Sequence, residues 1–442
     1  MTKTALTRRD FLRSAGPAAA AIAAGPYLIA SSASGAEALP APGSRITMGC
    51  IGVGRMGSGN MHGFLAHSDV QIVAVCDVDA RRRQAAKKAV EGRYAARAAS
   101  RAYKGCTAYG DFRDLVARDD IDAVVICTPD HWHVLPAIAA ARAGKDIYLE
   151  KPLSLTIAEG RALSDTVRRC GGVFQTGSQQ RSDAKFRFAC ELVRNGLIGR
   201  LHTVTTMFGG DPATTIHPAT MVPEGLDYEF WLGPAPWAPY TQERVHPQND
   251  YGRPGWLRIS DYSGGMMTGW GSHHNDIAQW GTGMELSGPV EIEGRGQFPR
   301  DGLWDVHGEF RVEYTYANGV KLICQSKGDG VRFEGSDGWV FVDRGKIDAQ
   351  PRSLLRSAIG PGEIHLQESG NHHRNFLDCV KTRRDPIAPV EVGHRSATVC
   401  HLGNIAMKLG RKLKWDPDRE RFVDDDGADR ETSRPMRAPW HL

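Results

Sequence analysis

ITMGCIGVGRMGSGNMHGFL, Ile46 to Leu65, is the stretch whose reading decides the fold. It opens on a short apolar run, ITMGCI, which reads as the first strand. The run leads directly into Gly52, Gly54 and Gly57 in GxGxxG spacing, and the residues through Phe64 and Leu65 read as a helix. In a strand–loop–helix setting each glycine has its own reason. Gly52 permits the tight turn, Gly54 lets backbone approach a pyrophosphate, and Gly57 allows close helix packing. The helix N-terminus offers free N–H groups to the phosphates. A second buried strand, VQIVAVC, leads to Asp77, 20 residues after Gly57. A carboxylate there accepts from ribose hydroxyls and repels a 2′-phosphate, so NAD is the expected cofactor. Arg81, Arg82 and Arg83 leave NADP possible. The bland alternative is a glycine-rich turn with no ligand.

The alternation continues outward from this unit. GDFRDLVARDD is a short helix, IDAVVICT a strand, HVLPAIAAARAG a helix and DIYLEKP a strand, which predicts a doubly wound parallel sheet over residues 46–172. After residue 172 the texture changes. LHTVTTMF, PVEIEGRGQF, FRVEYTYANGVKLICQS and GWVFVDRG read as strands, several of them hairpin partners, with an Asn-Gly turn signal in ANGV. Residues 173–442 are therefore expected to form a second, α+β domain with an open, mostly antiparallel sheet. Two helices close it, in NHHRNFLDCVKTRRD and ATVCHLGNIAMKLG. A length of 442 residues fits two domains, and 41% hydrophobic with 24% charged residues is a soluble globular composition.

Arg8 and Arg9 precede Phe11-Leu12, an alanine-rich run and the small residues Ser34-Gly35-Ala36. Residues 1–36 read as a twin-arginine export signal, 37–45 as a linker, and the mature protein as periplasmic. An uncleaved N-terminal anchor is the alternative. The signal holds four cations against Asp10, so the formal net charge of +4 falls to +1 without it. No polycationic surface for nucleic acid is implied. Nine cysteines with no CxxC pair read as buried small hydrophobes.

At Glu150-Lys151-Pro152 a larger pattern emerges. IGVGRMG, VAVCDVD, CTPDHWH, YLEKPLSL, GSQQRS and SHHND follow one another over essentially the whole mature chain, which resembles the glucose–fructose oxidoreductase/inositol dehydrogenase/rhizopine catabolism (Gfo/Idh/MocA) family. The resemblance implies a Rossmann domain followed by an α/β sheet domain. It implies NAD(P)-dependent oxidation of sugars or cyclitols, with a smaller branch of redox-neutral glycosidases that retain NAD. It places Lys151 against the reacting hydroxyl and the nicotinamide, Thr128, Pro129 and His133 over the nicotinamide ribose, and Glu150 on the cofactor side. Arg55 and Met56 join the three glycines in the phosphate loop. An ammonium at the carboxyl end of a strand also suits stabilisation of a developing alkoxide.

MMTGWGSHHNDIAQW, Met266 to Trp280, holds the next candidates. The family pattern is an Asp, three residues, a His, then x-x-Asp. Here the His and second Asp fall on His273 and Asp276, while the first Asp position is Gly269. His273 is the acid/base candidate, with an ordinary pKa near neutrality. Asp276 shares its helix face and could orient the ring. His274 points elsewhere, so no metal is expected; His274 and Asp276 are also substrate candidates. A packed structural role for His273 is the alternative. Another acid for the missing carboxylate could come from Asp211, Glu224, Asp227 or Asp261, or a proton donor from Tyr262.

Between the strands lies YEFWLGPAPWAPYTQERVHPQNDYGRPGW, a shaped aromatic loop. Its rings can stack on sugar faces, with Tyr240 and Trp256 favoured, or can staple the loop to the domain. Arg181 in QQRS and His202 could also face substrate. The leading expectation is an oxidoreductase acting on a sugar, glycoside or cyclitol through a tightly held nicotinamide cofactor. A redox-neutral glycosidase is the second, and a non-catalytic exported sugar-binding protein the third. The open sheet makes a homo-oligomer the expected state.

Overall fold

The computed structural model describes residues 45–95 and 103–442. The expected export signal and all of the linker but Arg45 lie outside the described residues. No helix among the described residues is long and apolar enough to cross a membrane.

The first sheet holds β1 (Ile46–Ile51), β2 (Val70–Cys76), β3 (Thr107–Tyr109), β4 (Ala123–Ile126), β5 (Asp146–Leu149) and β6 (Phe174–Thr176). All pair in parallel, in the order β3-β2-β1-β4-β5-β6. This is the doubly wound arrangement expected, and its chain reversal lies between β1 and β4. The connecting helices are α1 (Arg55–Leu65), α2 (Ala80–Arg93), α3 (Phe112–Val116), α4 (Val134–Arg142) and α5 (Ile157–Cys170). Met48, Val75 and Tyr148 pack on one face of the sheet, and Ile51, Val124 and Leu149 on the other. That two-sided burial is why β1, β2 and β4 are continuous apolar runs. Asp79 caps α2 by accepting from the backbone N–H of Arg81, and Thr156 caps α5 at Glu159.

The second sheet has nine strands: β7 (Leu201–Met207), β8 (Glu291–Gly296), β9 (Phe310–Thr315), β10 (Lys321–Gln325), β11 (Gly330–Gly335), β12 (Trp339–Val342), β13 (Ile347–Gln350), β14 (Leu413–Asp416) and β15 (Arg421–Phe422). Their order is β13-β12-β11-β7-β10-β9-β8-β14-β15, and only β7 with β10 is parallel. The expected Asn-Gly turn joins β9 to β10, with Gly319 N–H donating to the Tyr316 carbonyl at 2.9 Å. Alternate residues Phe310, Val312 and Tyr314 face inward, against α6 (Ala184–Arg194), α9 (Gly271–Thr282) and α11 (Val390–Leu409). Two short helices, α7 (Tyr228–Leu232) and α8 (Gly265–Gly269), punctuate the long loop region between β7 and β8, and α10 (His372–Thr382) follows β13.

The domain division is less sharp than the sequence suggests. β6 lies past residue 172 yet completes the parallel sheet. α10 was expected in the second domain, but Phe376, Leu377 and Cys379 sit in the core of the first, beside Phe64 and Tyr148. Its apolar stripe finds the uncovered side of the parallel sheet, where burial is available.

Candidate functional site

A cleft of about 820 Å³ opens where the carboxyl ends of β1, β2, β4 and β5 meet the second domain. This is the crevice at which an open parallel sheet binds ligands. Gly52, at φ +77°, makes the turn out of β1, and a Cβ there would stand 2.7 Å from the Cys127 carbonyl. A Cβ on Gly57 would fall 1.8 Å from the Gly52 carbonyl oxygen. Gly54 precedes α1 and supplies no side-chain cap, so the N–H groups of the first turn remain available for phosphate. A side chain on Gly54 would project toward Arg82 Nη1, 3.1 Å away, filling this cradle.

Asp77 lines the same cleft. Its two carboxylate oxygens accept from the N–H groups of Val53 and Asp79, each at 2.9 Å, which fixes the group at the ribose end of the cradle. Lost hydration lifts its carboxyl above the ordinary range, while these donors, His246 and Arg82 pull the other way. The three neighbouring arginines all bond to protein groups, with Arg82 also lining the cleft. Arg81 bonds Gln248, Arg82 donates to the carbonyls of Pro247 and Asp250, and Arg83 donates to the Asp77 carbonyl. The glycine cradle, the free helix terminus and an acceptor at the end of β2 together fit NAD.

The loop after β4 supplies the next wall. Thr128, Pro129 and His133 all line the cleft. The ring nitrogens of His133 lie 2.6 Å from the Pro152 carbonyl and 2.9 Å from that of Thr128, so the imidazole braces the loop after β4 against the loop after β5. Burial holds it neutral, with a pKa down to about 4. Glu150 is buried and accepts from Asn60 at 2.9 Å and Gln179 at 2.8 Å. Lys151 follows it into the cleft, where its ammonium makes no hydrogen bond or ion pair with the described residues.

His273 enters from α9 and completes the group. Its ring is 5% exposed, leans edge-on to Trp270, and keeps Nδ1 without a partner. Burial, Lys151 and Arg344 hold its pKa well below the ordinary histidine value. Trp256 also lines this half of the cleft.

Five expected substrate residues are placed elsewhere. Arg181 and Asp276 form a two-pronged ion pair at 2.7 and 2.8 Å, and are 2% and 1% exposed. Ser396 donates to the same carboxylate at 2.8 Å, and Glu285 takes a further guanidinium N–H. Asp276 is thus saturated by these partners and does not orient His273. The pair bolts the turn after β6 to α9 and α11. His274 turns to the sheet side, its Nδ1 3.0 Å from the Met207 carbonyl. Tyr240 packs edge-on to Tyr228 in the satellite core of the long loop, 4% exposed. His202 lies exposed on β7. None of Asp211, Glu224, Asp227, Asp261 or Tyr262 lines the cleft. Asp211 instead accepts the Met266 N–H at 2.6 Å, and Asp227 caps α7. Among the described residues no cluster of three or more His, Cys, Asp or Glu is placed to hold a metal.

The structure adds residues that motif reading passed over. Asp130, in CTPDHWH, lines the cleft with its side chain 3% exposed. Arg253 and Arg344 reach it from distant loops, and Arg344 stacks over Trp270 at 4.5 Å. Asp130 was visible in sequence only as a member of the motif. The arginines carried no signal, because their position depends on how separate loops fold back.

Known proteins share this fold. Residues 46–178 match a model described as oxidoreductase family, NAD-binding Rossmann fold, and residues 206–442 one described as oxidoreductase family, C-terminal alpha/beta domain. A glycosyl hydrolase family 109 protein of Shewanella pealeana is 33% identical over 207 residues, 44% of each chain. Myo-inositol 2-dehydrogenase of Thermotoga maritima is 31% identical over 183 residues, 41% of this chain and 47% of that one. The matched stretch spans less than half the length of these curated relatives. The WlbA dehydrogenase of Bordetella pertussis, solved with NADH and UDP-GlcNAcA, superposes with a TM-score of 0.62 at 16% identity, covering 84% of this chain and 99% of that one. An aldose-aldose oxidoreductase of Caulobacter crescentus, complexed with glycerol, gives 0.61 at 20% identity and the same coverage. With both halves matched in order, the chain belongs to the Gfo/Idh/MocA oxidoreductase family, and its first domain is an NAD-binding Rossmann fold.

Proposed function

We propose that this protein oxidises or reduces a ring carbinol of a sugar, glycoside or cyclitol, with NAD as its hydride carrier. One observation carries the reading: Lys151 presents an unpaired ammonium in the same cleft as the glycine cradle and His273. Bound NAD would supply the hydride acceptor or donor. The chain's own residues do the rest. Lys151 donates to the carbinol oxygen and stabilises it as negative charge develops. His273, neutral and with Nδ1 free, contacts the same oxygen from the second domain. Trp256 offers an apolar face for a ring.

A periplasmic site of action, reached by the twin-arginine route from Arg8 and Arg9, belongs to the same proposal. It calls for a cofactor that stays bound through the cycle. Self-association through the half-exposed outer face of the nine-stranded sheet is a further part of it. The family 109 relatives favour a second reading, a glycosidase that oxidises a ring carbon, releases the aglycone, adds water and reduces the carbon again.

The test is to purify the protein without added nucleotide and identify any nucleotide released on denaturation by mass spectrometry. The protein, with NAD restored where needed, is then offered D-glucose, D-glucuronate, N-acetyl-D-glucosamine, myo-inositol and aryl glycosides. Net nicotinamide reduction by a free sugar or cyclitol is expected. Aglycone release with no net change in the nicotinamide would favour the glycosidase reading. Lys151→Ala should lower turnover by roughly 10²–10³-fold while leaving NAD binding intact; an unchanged rate would remove Lys151 from the chemistry.

A further inference from the structure

Asp130 opens the short 3-10 turn after β4 and lines the cleft with Lys151 and His273. Its Oδ2 is enclosed beside the Ser263 hydroxyl, and no other side-chain donor among the described residues stands at hydrogen-bonding distance. Native structures pair almost all buried polar atoms, so an under-partnered carboxylate in the wall of a cleft marks a place for a proton. Burial pushes this carboxyl up to about 7, against the pull of the Lys151 ammonium and the Ser263 hydroxyl, while Glu150 adds to the rise. His131 and His133, its neighbours in the same segment, are both held neutral by burial.

The second observation is at Gly269, where the family pattern has its carboxylate. Gly269 lines the cleft, and a Cβ built on it meets nothing within 4 Å. No neighbouring side chain has taken over that volume. His273 is a poor store for the proton, because Lys151 and Arg344 oppose a positive ring in a buried place.

We propose that Asp130 is the proton acceptor of this cleft, in the role that Gly269 leaves open. The proposal rests on the oxidoreductase reading above. In the oxidation the carbinol O–H bond breaks and its proton passes to the Asp130 carboxylate. The C–H bond breaks with its electron pair, leaving as hydride to oxidised nicotinamide, and the O–H pair becomes the second bond of the carbonyl. Lys151 holds the oxygen throughout. A carboxyl that titrates near neutrality serves oxidation as base and the return reaction as acid. The sign follows from the raised value. Below about 7 Asp130 is protonated and oxidation is slow; the rate rises as pH passes through about 7 and the carboxylate forms.

The experiment compares wild type with Asp130→Asn by two readouts. In infrared difference spectra of the NAD-loaded protein, a protonated-carboxyl band should titrate away through about pH 7 in wild type and be missing from the variant. Glu159, also buried and near 7, contributes equally to both and cancels. In turnover of whichever compound of the panel wild type uses fastest, Asp130→Asn should lose about 10²–10⁴-fold with KM little changed, and lose the rise with pH. Gly269→Asp in the Asp130→Asn background should recover about tenfold or more of that loss, which a structural role for Asp130 would not allow. Should Asp130→Asn not fold, Asp130→Glu should keep the rise with pH but move its midpoint. A missing difference band, an unaltered rise in Asp130→Asn or an unmoved midpoint in Asp130→Glu overturns the proposal. A wild type inactive on the whole panel overturns the oxidoreductase reading itself, and the proposal with it.

Discussion

The two walls of the cleft contrast in how their residues are held. On the Rossmann side, Gly52, Asp77, Thr128 and Glu150 all lie just past the ends of β1, β2, β4 and β5, which are neighbours in the sheet. Pairing in the sheet brings those ends to one edge, so position along a motif translates directly into position in the cleft. On the other side, four adjacent residues of α9 scatter. His273 reaches the cleft, His274 the sheet, Asn275 a buried pocket with Thr206, and Asp276 the guanidinium of Arg181. A helix turns each successive side chain by about a quarter turn, and only the packing around it decides which face meets the cavity.

Arg181 gives the largest expected effect and the most direct way to break this contrast. Arg181→Met would leave Asp276 buried with only Ser396 as its remaining donor. Removing one partner of a buried pair costs about 3–5 kcal/mol. Denaturant unfolding should show a loss of that order, with NAD affinity unchanged. A variant of full stability but weakened sugar binding would return Arg181 to the substrate wall.

Gly57→Ala probes the Rossmann side. Its Cβ would stand 1.8 Å from the Gly52 carbonyl oxygen, so α1 has to move away from the loop that cradles phosphate. Overpacking of this kind costs about 1–3 kcal/mol. Calorimetric titration with NADH should show weakened binding along with the lost stability. Retained affinity would mean the helix start can shift without disturbing the phosphate site.

These two cases show where sequence is sufficient. In the parallel sheet β1, β2, β4 and β5 were legible because each is a short apolar run bounded by turn chemistry, whereas β3 and β6, only TAY and FQT, were not, and the cradle was legible because three glycines and an acid keep fixed spacing. The nine-stranded sheet was legible in its clearest strands, such as the β9–β10 hairpin with its Asn-Gly turn. β11 and β13 were not, since GVRFEG and IDAQ carry too few apolar residues to stand out from loop. Of the expected substrate-side residues, His273 and Trp256 line the cleft, while Tyr240, Arg181, His274 and Asp276 pack away from it, because a buried ion pair and an aromatic staple use the same residue types as a sugar site. Asp130 lay within a motif read only for its Thr-Pro and its histidine, and its importance comes from what surrounds it.

The smallest effect sharpens the comparison most, because it sets one glycine against another. Gly57 is held by backbone contact, and Gly52 by its positive φ. Gly269 has neither constraint: it ends α8 with a negative φ and open space at its Cβ. Alanine in a helix, at a compatible backbone position, gains about 0.4–1 kcal/mol over glycine. Gly269→Ala should therefore melt slightly higher than wild type, while its methyl enters the cleft beside Trp270 and His273 and raises KM for the substrate. A protein that kept this glycine for its backbone would lose stability instead. A small gain with a poorer KM would show that the glycine persists for the room it leaves, which is the condition under which a second carboxylate, on the opposite wall, is needed at all.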